Sequence, residues 1–232
     1  MSTVLDQVGK LVSKLRAERD LELEFRLGKL DNGYFVSGIT LDSFEDIVQD
    51  LEGCSEFTST ETWKEEMDVF FTIGKNNLRT RVTYPSETMM VTPLTVQKNR
   101  IDCVNVKTSA PFDVRVALSS EKVCEPKSLP SIVEPNMVRL KHVKRFTLQR
   151  NNKDTWIFEL SKTWTGSNRT EVEELQHDQI PIYEVECELL DTNDYIDKNS
   201  NKYVSESLIM KAMDLLGYPN AEYELYNKRR KN

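Results

Sequence analysis

Two short stretches of the sequence place a glutamate at every second position. They contain Glu22 and Glu24 near one end of the chain, and Glu184, Glu186 and Glu188 near the other. In a β-strand this spacing puts the carboxylates of each stretch on one face, with neighbours about 7 Å apart. At an effective dielectric constant near 20, each such pair repels by roughly 2.4 kcal/mol. Water relieves that repulsion on an outer face, whereas an inner face requires a metal cation or a set of lysines and arginines.

Basic residues follow the same period in strands predicted between these stretches. Arg79 and Arg81 share one strand face, Lys141 and Arg145 share another, and Arg115 lies on a third. Strands of this kind could close into a barrel that holds fixed cations and carboxylates around a central cavity. A polyphosphate fits that interior, because phosphoryl transfer to water needs cations on the phosphoryl oxygens and a positioned water. The hard carboxylate oxygens would select Mg²⁺ or Mn²⁺.

The same residues also permit a purely structural interpretation. A single Glu-x-Glu strand is more often the wet face of an antiparallel sheet than a metal site. Exposed arginines and lysines pair with nearby acids and contribute little to stability. The functional interpretation depends on the combination of two acidic strands near the ends of the predicted domain with basic strands between them.

The composition favours one globular domain, which we take as 1–232. A chain of 232 residues is long enough for a large all-β barrel. The net charge of −7 argues against broad adhesion to nucleic acid, so any contact with a polyanion would be local. The four cysteines and two histidines have no zinc-ligand spacing, and we expect reduced thiols. No leader peptide or membrane-spanning run is present, so we expect an intracellular protein with no membrane partner.

Periodicity predicts an α+β, mainly β, fold. Apolar residues at helical spacing predict helices at 2–19, 40–53 and 205–216. The segment 121–135 contains three prolines and is predicted to be a loop. Alternating or β-branched runs predict strands at 21–28, 67–73, 78–84, 91–96, 102–108, 113–119, 137–148, 155–164 and 182–190.

Five segments resemble the motifs of a known family, the metal-dependent RNA 5′-triphosphatases of fungi, protists and large DNA viruses, which are triphosphate tunnel metalloenzymes. The two glutamate stretches, 21–28 and 183–188, are similar to the first and last motifs of that family. Segment 112–121 resembles its Asp-x-Arg-(Ile/Val)-Ser strand, 139–147 its Lys-x-Arg-x-Ser/Thr strand, and 156–161 its Trp-x-x-Asp-Leu-Thr strand. The resemblance spans 21–189, most of the chain.

The resemblance implies a closed antiparallel tunnel of eight strands with flanking helices. It implies an enzyme that removes the γ-phosphate from the 5′-triphosphate end of nascent RNA, the first step of mRNA capping, with Mg²⁺ or Mn²⁺ as cofactor. The expected partners are that RNA end and a guanylyltransferase, in cis or in trans, and the chain could form a homodimer. The expected location is the nucleus or a cytoplasmic viral factory.

Site residues follow from the resemblance position by position. Glu188 would support the metal ligands or orient water, and Glu121 or Glu159 would position water or orient the basic side chains. Val143 stands where the family pattern has a lysine, so either Lys141 or Lys144 reaches the tunnel. Glu159 replaces the usual aspartate. The implied metal ligands are Glu22, Glu24, Glu184 and Glu186; the implied phosphate-binding residues are Arg79 or Arg81, Arg115, Lys141 and Arg145; the implied catalytic residues are Glu121, Glu159, Glu188 and Arg115.

Two alternatives remain open at this point. A thiamine-triphosphate or inorganic tripolyphosphate hydrolase would have the same fold and the same charged interior. A non-catalytic scaffold of the transcription machinery could also use this barrel, but it would have no reason to keep both acidic strands inward.

Overall fold

A computed structural model describes residues 3–73, 76–84, 94–124, 135–150 and 152–217 of the chain. The elements in this part confirm an α+β fold that is mainly β. In chain order they are α1 (Val4–Ala17), β1 (Leu21–Asp31), β2 (Tyr34–Ser37), α2 (Leu41–Gly53), β3 (Phe57–Thr60), β4 (Lys64–Ile73), β5 (Asn76–Tyr84), β6 (Leu94–Val106), β7 (Asp113–Val123), β8 (Met137–Arg150), β9 (Lys153–Gly166), α3 (Arg169–Asp178), β10 (Ile182–Leu189), α4 (Thr192–Lys198) and α5 (Asn201–Leu215).

Eight of the strands form a closed antiparallel barrel, as expected. Their order is β10-β9-β8-β4-β5-β6-β7-β1, and a further pairing between β1 and β10 closes the ring. In that closing pair Glu24 lies opposite Glu188, and Arg26 lies opposite Glu186. Closure therefore brings together the two acidic stretches, which are far apart in the sequence.

The other two strands extend the sheet at its corners. β2 forms a hairpin with the second half of β1, and β3 pairs with the end of β8. The hairpin turns at Asn32 and Gly33, whose φ angles are 46° and 84°. Asn-Gly adopts the two positive φ angles of a type I′ turn at little cost, which makes it a strong hairpin signal. β2 was therefore predictable from the sequence, although it is missing from the predicted strands.

The apolar face of the barrel packs outward against helices. Alternate residues of β1, such as Leu23, Phe25 and Leu27, are buried in one large core cluster with residues of α1, α2, α4 and α5. A second, smaller cluster around Leu140 includes Val172 of α3. Since successive side chains of a strand point to opposite faces, the remaining, charged parity lines the interior. We call this interior the tunnel.

Several boundaries differ from the prediction. The strands predicted at 91–96 and 102–108 share one strand, β6, over 94–96 and 102–106, with a register shift between Arg100 and Asp102, and 91–93 lie outside the described residues. The polar run before that shift resembles a turn in sequence, but in the barrel it continues the ladder. The predicted loop 121–135 is wrong at its start, where 121–123 belong to β7, and 125–134 lie outside the described residues. α5 begins at Asn201, earlier than predicted, and β3, α3 and α4 were not predicted.

Two further features bear on the expectations from composition. All four cysteines are free thiols. Within the described residues, the helices are too short or too polar to cross a membrane.

The β1–β2 hairpin depends on a glycine. A Cβ atom added at Gly28 would lie 2.2 Å from the carbonyl oxygen of Val36 and 2.8 Å from Cζ of Phe35. Backbone atoms cannot yield at such a distance without moving β2 away from β1. Gly28 therefore allows β2, and the ring of Phe35, to lie directly against the end of the barrel.

We predict that Gly28→Ala lowers the free energy of unfolding by about 1–3 kcal/mol, the usual cost of forcing an atom into a packed site. Urea unfolding of the variant and the wild type measures this difference. The matched control is Gly53→Ala at the end of α2, where an added Cβ meets nothing within 4 Å. Equal unfolding midpoints for the two variants would contradict the close approach of β2.

Candidate active site

The tunnel is lined by ionic side chains that pair across neighbouring strands. Each predicted site residue lies on the inward parity, and both Arg79 and Arg81 do so. Lys141 also lies inward, where it donates to Glu159 at 2.7 Å, whereas Lys144 lies on the outer face and pairs with Glu52. The two ambiguities left by the sequence are thereby resolved.

One cluster surrounds the acidic residues of β1. Nζ of Lys98 donates to Oε1 of Glu22 at 2.7 Å and lies 3.4 Å from Oε2 of Glu24. The guanidinium of Arg26 binds the same Glu24 carboxylate at 3.0 and 3.2 Å, and its Nη2 lies 3.2 Å from Glu186. Two cations therefore serve three carboxylates here, with Glu188 opposite Glu24 in the adjacent strand.

Burial and the excess of carboxylates over cations shift the pKa values of these glutamates. Burial, and then the charge of Glu24, raise the pKa of Glu22 to about 7. Burial and the charge of Glu22 raise the pKa of Glu188 to about 8. Burial would also raise the pKa of Glu24, but Arg26 and Lys98 outweigh it and the net shift is downward. Glu22 and Glu188 thus lack the positive charge that would stabilise both of them as carboxylates.

A second cluster joins β4, β5, β8 and β9. Arg145 donates to both carboxylate oxygens of Glu66, at 2.7 and 2.8 Å, and to Glu159 at 2.7 Å. Arg81 binds Asp68 in the same two-pronged way, at 2.7 and 2.9 Å. Burial alone would raise the pKa of Glu159, but Lys141, Arg145 and Arg81 lower it well below its usual range. Glu159 is therefore held in its ionised form by three nearby cations and binds two of them, Lys141 and Arg145, directly.

Glu184 belongs to neither cluster. Its carboxylate accepts hydrogen bonds from Arg139 and, at 2.9 Å, from the Thr163 hydroxyl. The strand rise of about 3.3 Å per residue puts Glu184 some 13 Å along β10 from Glu188. The structure thus brings Glu22, Glu24, Glu186 and Glu188 to neighbouring positions of two paired strands, and it places Glu184 near the basic end of the tunnel.

The tunnel contains two pockets of opposite character. The cationic pocket, about 240 Å³, is lined by four arginines and a lysine but only one carboxylate. The acidic pocket, about 260 Å³, is lined by four glutamates and two arginines. The cationic pocket is lined by Glu24, Arg26, Phe70, Leu78, Arg79, Lys98, Arg100, Ser119 and Arg139. The acidic pocket is lined by Glu66, Arg81, Arg145, Ile157, Glu159, Glu186, Glu188 and Leu190.

Arg79 and Arg115 lie on the cationic side with different partners. Arg79 pairs with Glu121 at 2.7 Å, across β6. Arg115, opposite Arg26 in the β1–β7 pair, donates from Nε to the side-chain oxygen of Asn105 at 2.8 Å. Glu121 therefore has an orienting contact with a basic residue, while Arg115 is held by a neutral group.

The charged side chains of the tunnel that lie outside the set predicted from the sequence include Arg26, Glu66, Asp68, Lys98, Arg100 and Arg139. Arg26 continues the parity of Glu22 and Glu24, so its inward position was readable from the sequence. Glu66 precedes the predicted start of its strand at 67, and Lys98 falls in the predicted break between two strands. Wrong strand boundaries therefore hid these two residues.

Solved structures share this fold. The S. pombe RNA triphosphatase Pct1 aligns with a TM-score of 0.68 over 93% of this chain and 93% of that chain, at 15% sequence identity. A structure of Pct1 in complex with the Spt5 CTD gives a TM-score of 0.69 over 91% and 93%, also at 15% identity. The triphosphatase of the Mimivirus capping enzyme gives 0.64 over 93% and 97%, at 12% identity. No protein-family model and no curated protein matches the sequence. The comparisons confirm the triphosphate tunnel fold.

The raised pKa values of Glu22 and Glu188 predict an unusual pH dependence of stability. An unfolded glutamate titrates near about 4.3. Since both groups hold their protons more tightly when folded, the free energy of unfolding should fall as pH rises from about 4.5 to about 8. The measurement is urea unfolding in metal-free buffer across that range. A rise in wild-type stability over the same window would contradict the prediction.

Glu188→Gln removes one of the two carboxyl groups with a raised pKa. It should make the fall in the free energy of unfolding between about pH 4.5 and 8 smaller by about 1 kcal/mol or more. Glu174→Gln, on the exposed face of α3, is the matched control and should leave the pH profile unchanged.

Proposed function

We propose that the chain is a divalent-metal-dependent RNA 5′-triphosphatase, which hydrolyses the γ-phosphate from the 5′-triphosphate end of nascent RNA in the first step of mRNA capping. The observation that carries the proposal is the closing β1–β10 pair, which sets the glutamates of both strands side by side and next to a pocket lined by four arginines and a lysine. A bound triphosphate needs cations along its oxygens, and a divalent ion needs a group of carboxylates. The similarity of the whole fold to RNA triphosphatases supports the same reaction class.

The donors on β1 and β10 fit a hard divalent cation. They are carboxylate oxygens, the ligands that Mg²⁺ and Mn²⁺ prefer. Burial and the charge of neighbouring glutamates raise the pKa values of Glu22 and Glu188 more than Lys98 lowers them. In the arrangement described, no group of three Asp, Glu, His or Cys residues among the described residues is already gathered around an ion position. Lys98 and Arg26 supply the positive charge instead.

We assign the cation to Glu22, Glu24 and Glu188, with Lys98 turned toward the phosphates. When bound, the ion would polarise the γ-phosphoryl group and neutralise its developing charge. Glu184, which the resemblance includes among the ligands, would instead hold Arg139 in the cationic pocket. This assignment keeps Glu22 and Glu24 of the predicted ligand set, replaces Glu184 with Glu188 and leaves out Glu186.

The cations of the tunnel would bind the triphosphate. Arg26, Arg79, Lys98 and Arg139 line the cationic pocket and would contact the phosphates nearer the RNA. Lys141 and Arg145 would contact the γ-phosphate, because Glu159 and Glu66 fix them at the centre of the tunnel. Bidentate guanidinium contacts suit phosphoryl oxygens, and they also fix the orientation of the group for attack.

The carboxylates divide between orientation and proton transfer. Glu159, with its strongly lowered pKa, is a poor proton acceptor and orients Lys141 and Arg145. Glu121 has the same role toward Arg79. Burial raises the pKa of Glu186, which lies opposite Glu159 and next to Arg26, so Glu186 is suited to take the proton from the attacking water.

The expected partners remain predictions. The solved structures that share this fold include Pct1 in complex with the Spt5 CTD and the RNA triphosphatase domain of a trifunctional Mimivirus capping enzyme. These structures support, for this chain, a place in the capping machinery alongside a guanylyltransferase. Homodimer formation and location in the nucleus or a viral factory can be tested by light scattering and by imaging of the tagged chain.

We predict that Glu22→Gln and Glu188→Gln each lower the rate of phosphate release from triphosphate-ended RNA by on the order of a hundredfold or more, because each removes a carboxylate ligand of the divalent cation. Both should also lose tight Mn²⁺ binding, measured by electron paramagnetic resonance. Glu184→Gln is the control: it should retain Mn²⁺ binding and show a raised KM.

Three outcomes are informative. Full activity of both Glu22→Gln and Glu188→Gln would refute the proposed function. Loss of Mn²⁺ binding in Glu184→Gln, equal to that in Glu188→Gln, would restore the ligand set implied by the resemblance. Tight Mn²⁺ binding without hydrolysis of any triphosphate by the wild type would favour the scaffold alternative.

A further inference from the structure

An aromatic ring lies at the cationic end of the tunnel. Phe35 of β2 is opposite Leu30 of β1, so it shares the inward parity of Arg26 and Gly28. The missing side chain of Gly28 makes room for the ring, whose Cζ lies 2.8 Å from the position that a Cβ would take. A hairpin outside the barrel thus contributes one half-buried ring to the tunnel mouth.

The ring packs against a cation. Cζ of Arg115 lies 4.6 Å from the centroid of Phe35, a distance at which a guanidinium is attracted to an aromatic face. Nε of Arg115 also donates to the side-chain oxygen of Asn105 at 2.8 Å. The guanidinium and the ring therefore form a preassembled layered pair.

Arg115 differs in its partner from three other arginines of the tunnel. Arg26, Arg79 and Arg139 each pair with a carboxylate. Within the described part of the chain, no carboxylate lies within ion-pair distance of Arg115. Burial and the neighbouring charges of Arg100 and Arg26 lower its pKa. This end of the tunnel thus has surplus positive charge beside an exposed part of an aromatic ring.

The pair matches one kind of ligand group. Unpaired nucleobases stack on aromatic rings and on arginine planes, whatever their sequence. Inorganic tripolyphosphate has no planar group that could use the ring. An aromatic ring is also a poor direct ligand for phosphate, because its face is negative. Phosphate binding alone therefore does not account for Phe35.

We propose that Phe35 and Arg115 form a stacking platform for the first nucleobase of a triphosphate-ended strand, and that the platform selects nucleoside-linked triphosphates over inorganic tripolyphosphate. The inference rests on the proposed function for the identity of the substrate. The triphosphate then extends from the platform past Arg26 toward Glu22 and Glu24, which lie about 13 and 7 Å along β1 from Arg26.

Binding tests the platform separately from hydrolysis. The dissociation constants of a short 5′-triphosphate oligoribonucleotide and of inorganic tripolyphosphate are measured by calorimetry, in Ca²⁺ and in chelator. Phe35→Leu keeps an apolar side chain but removes the ring. It should raise the dissociation constant of the oligoribonucleotide by on the order of tenfold, as loss of one base stack does. Its affinity for tripolyphosphate should not change. Phe35→Trp should restore oligoribonucleotide binding.

Tyr34→Leu is the matched control. Tyr34 precedes Phe35 on the same strand, points to the opposite face and is 78% exposed. Loss of its ring should leave both dissociation constants unchanged. Unfolding midpoints of all three variants identify any loss of folded protein.

The outcomes separate the two proposals. Equal weakening of both ligands by Phe35→Leu would overturn the platform and show that Phe35 only positions Arg115. Unchanged oligoribonucleotide binding would overturn it as well, as would a wild type that binds neither ligand in either buffer. Selective binding without any hydrolysis would support the platform and refute only the proposed function.

Discussion

Charge balance in the tunnel is the constraint on which the rest of the structure depends. The closing pair of strands aligns carboxylates at a spacing where each neighbour repels the next, and the barrel removes the water that would screen them. Arg26 and Lys98 relieve this repulsion for Glu24 but leave Glu22 and Glu188 with raised pKa values. The acidic face is thus undercompensated by protein groups, which is the condition under which a cation binds most favourably.

Because the interior of the barrel is ionic, most of the stabilising apolar contacts lie on its outer side. Buried ion pairs recover little more than their desolvation cost, so they contribute weakly to folding. The apolar parity of the same strands packs outward instead, where Phe25 and Trp156 are fully buried beneath the helices. The flanking helices are therefore structural requirements of a polar tunnel. A barrel with this interior and no covering helices would bury too little apolar surface to remain folded.

The two-residue period of the strands made the lining of the tunnel predictable. The order in which the strands pair could not be predicted in the same way. Parity put Glu22, Arg81, Arg145 and Glu188 on the polar face of their strands, because a strand has two faces and only one was apolar. Closure of the barrel then shows that this face lies inward. Pairing order is a tertiary property, so parity could not show that Glu184 meets Arg139 and not the other glutamates. Lys98 was hidden for a different reason: its polar surroundings resemble a turn, whereas the fold continues them as strand β6.

Phe35 shows what a motif-based interpretation leaves out. It lies in no stretch that resembles the family, and a lone phenylalanine in a short strand normally indicates packing. Its position becomes informative only because Asn32 and Gly33 fold β2 back onto β1 and because Gly28 has no side chain. The ring then lies beside the one tunnel arginine, among the residues described, that is held by a neutral amide. The strand pattern thus predicts the residues that would bind phosphate. The residue that would contact the nucleobase is positioned by the hairpin and could not be predicted from that pattern.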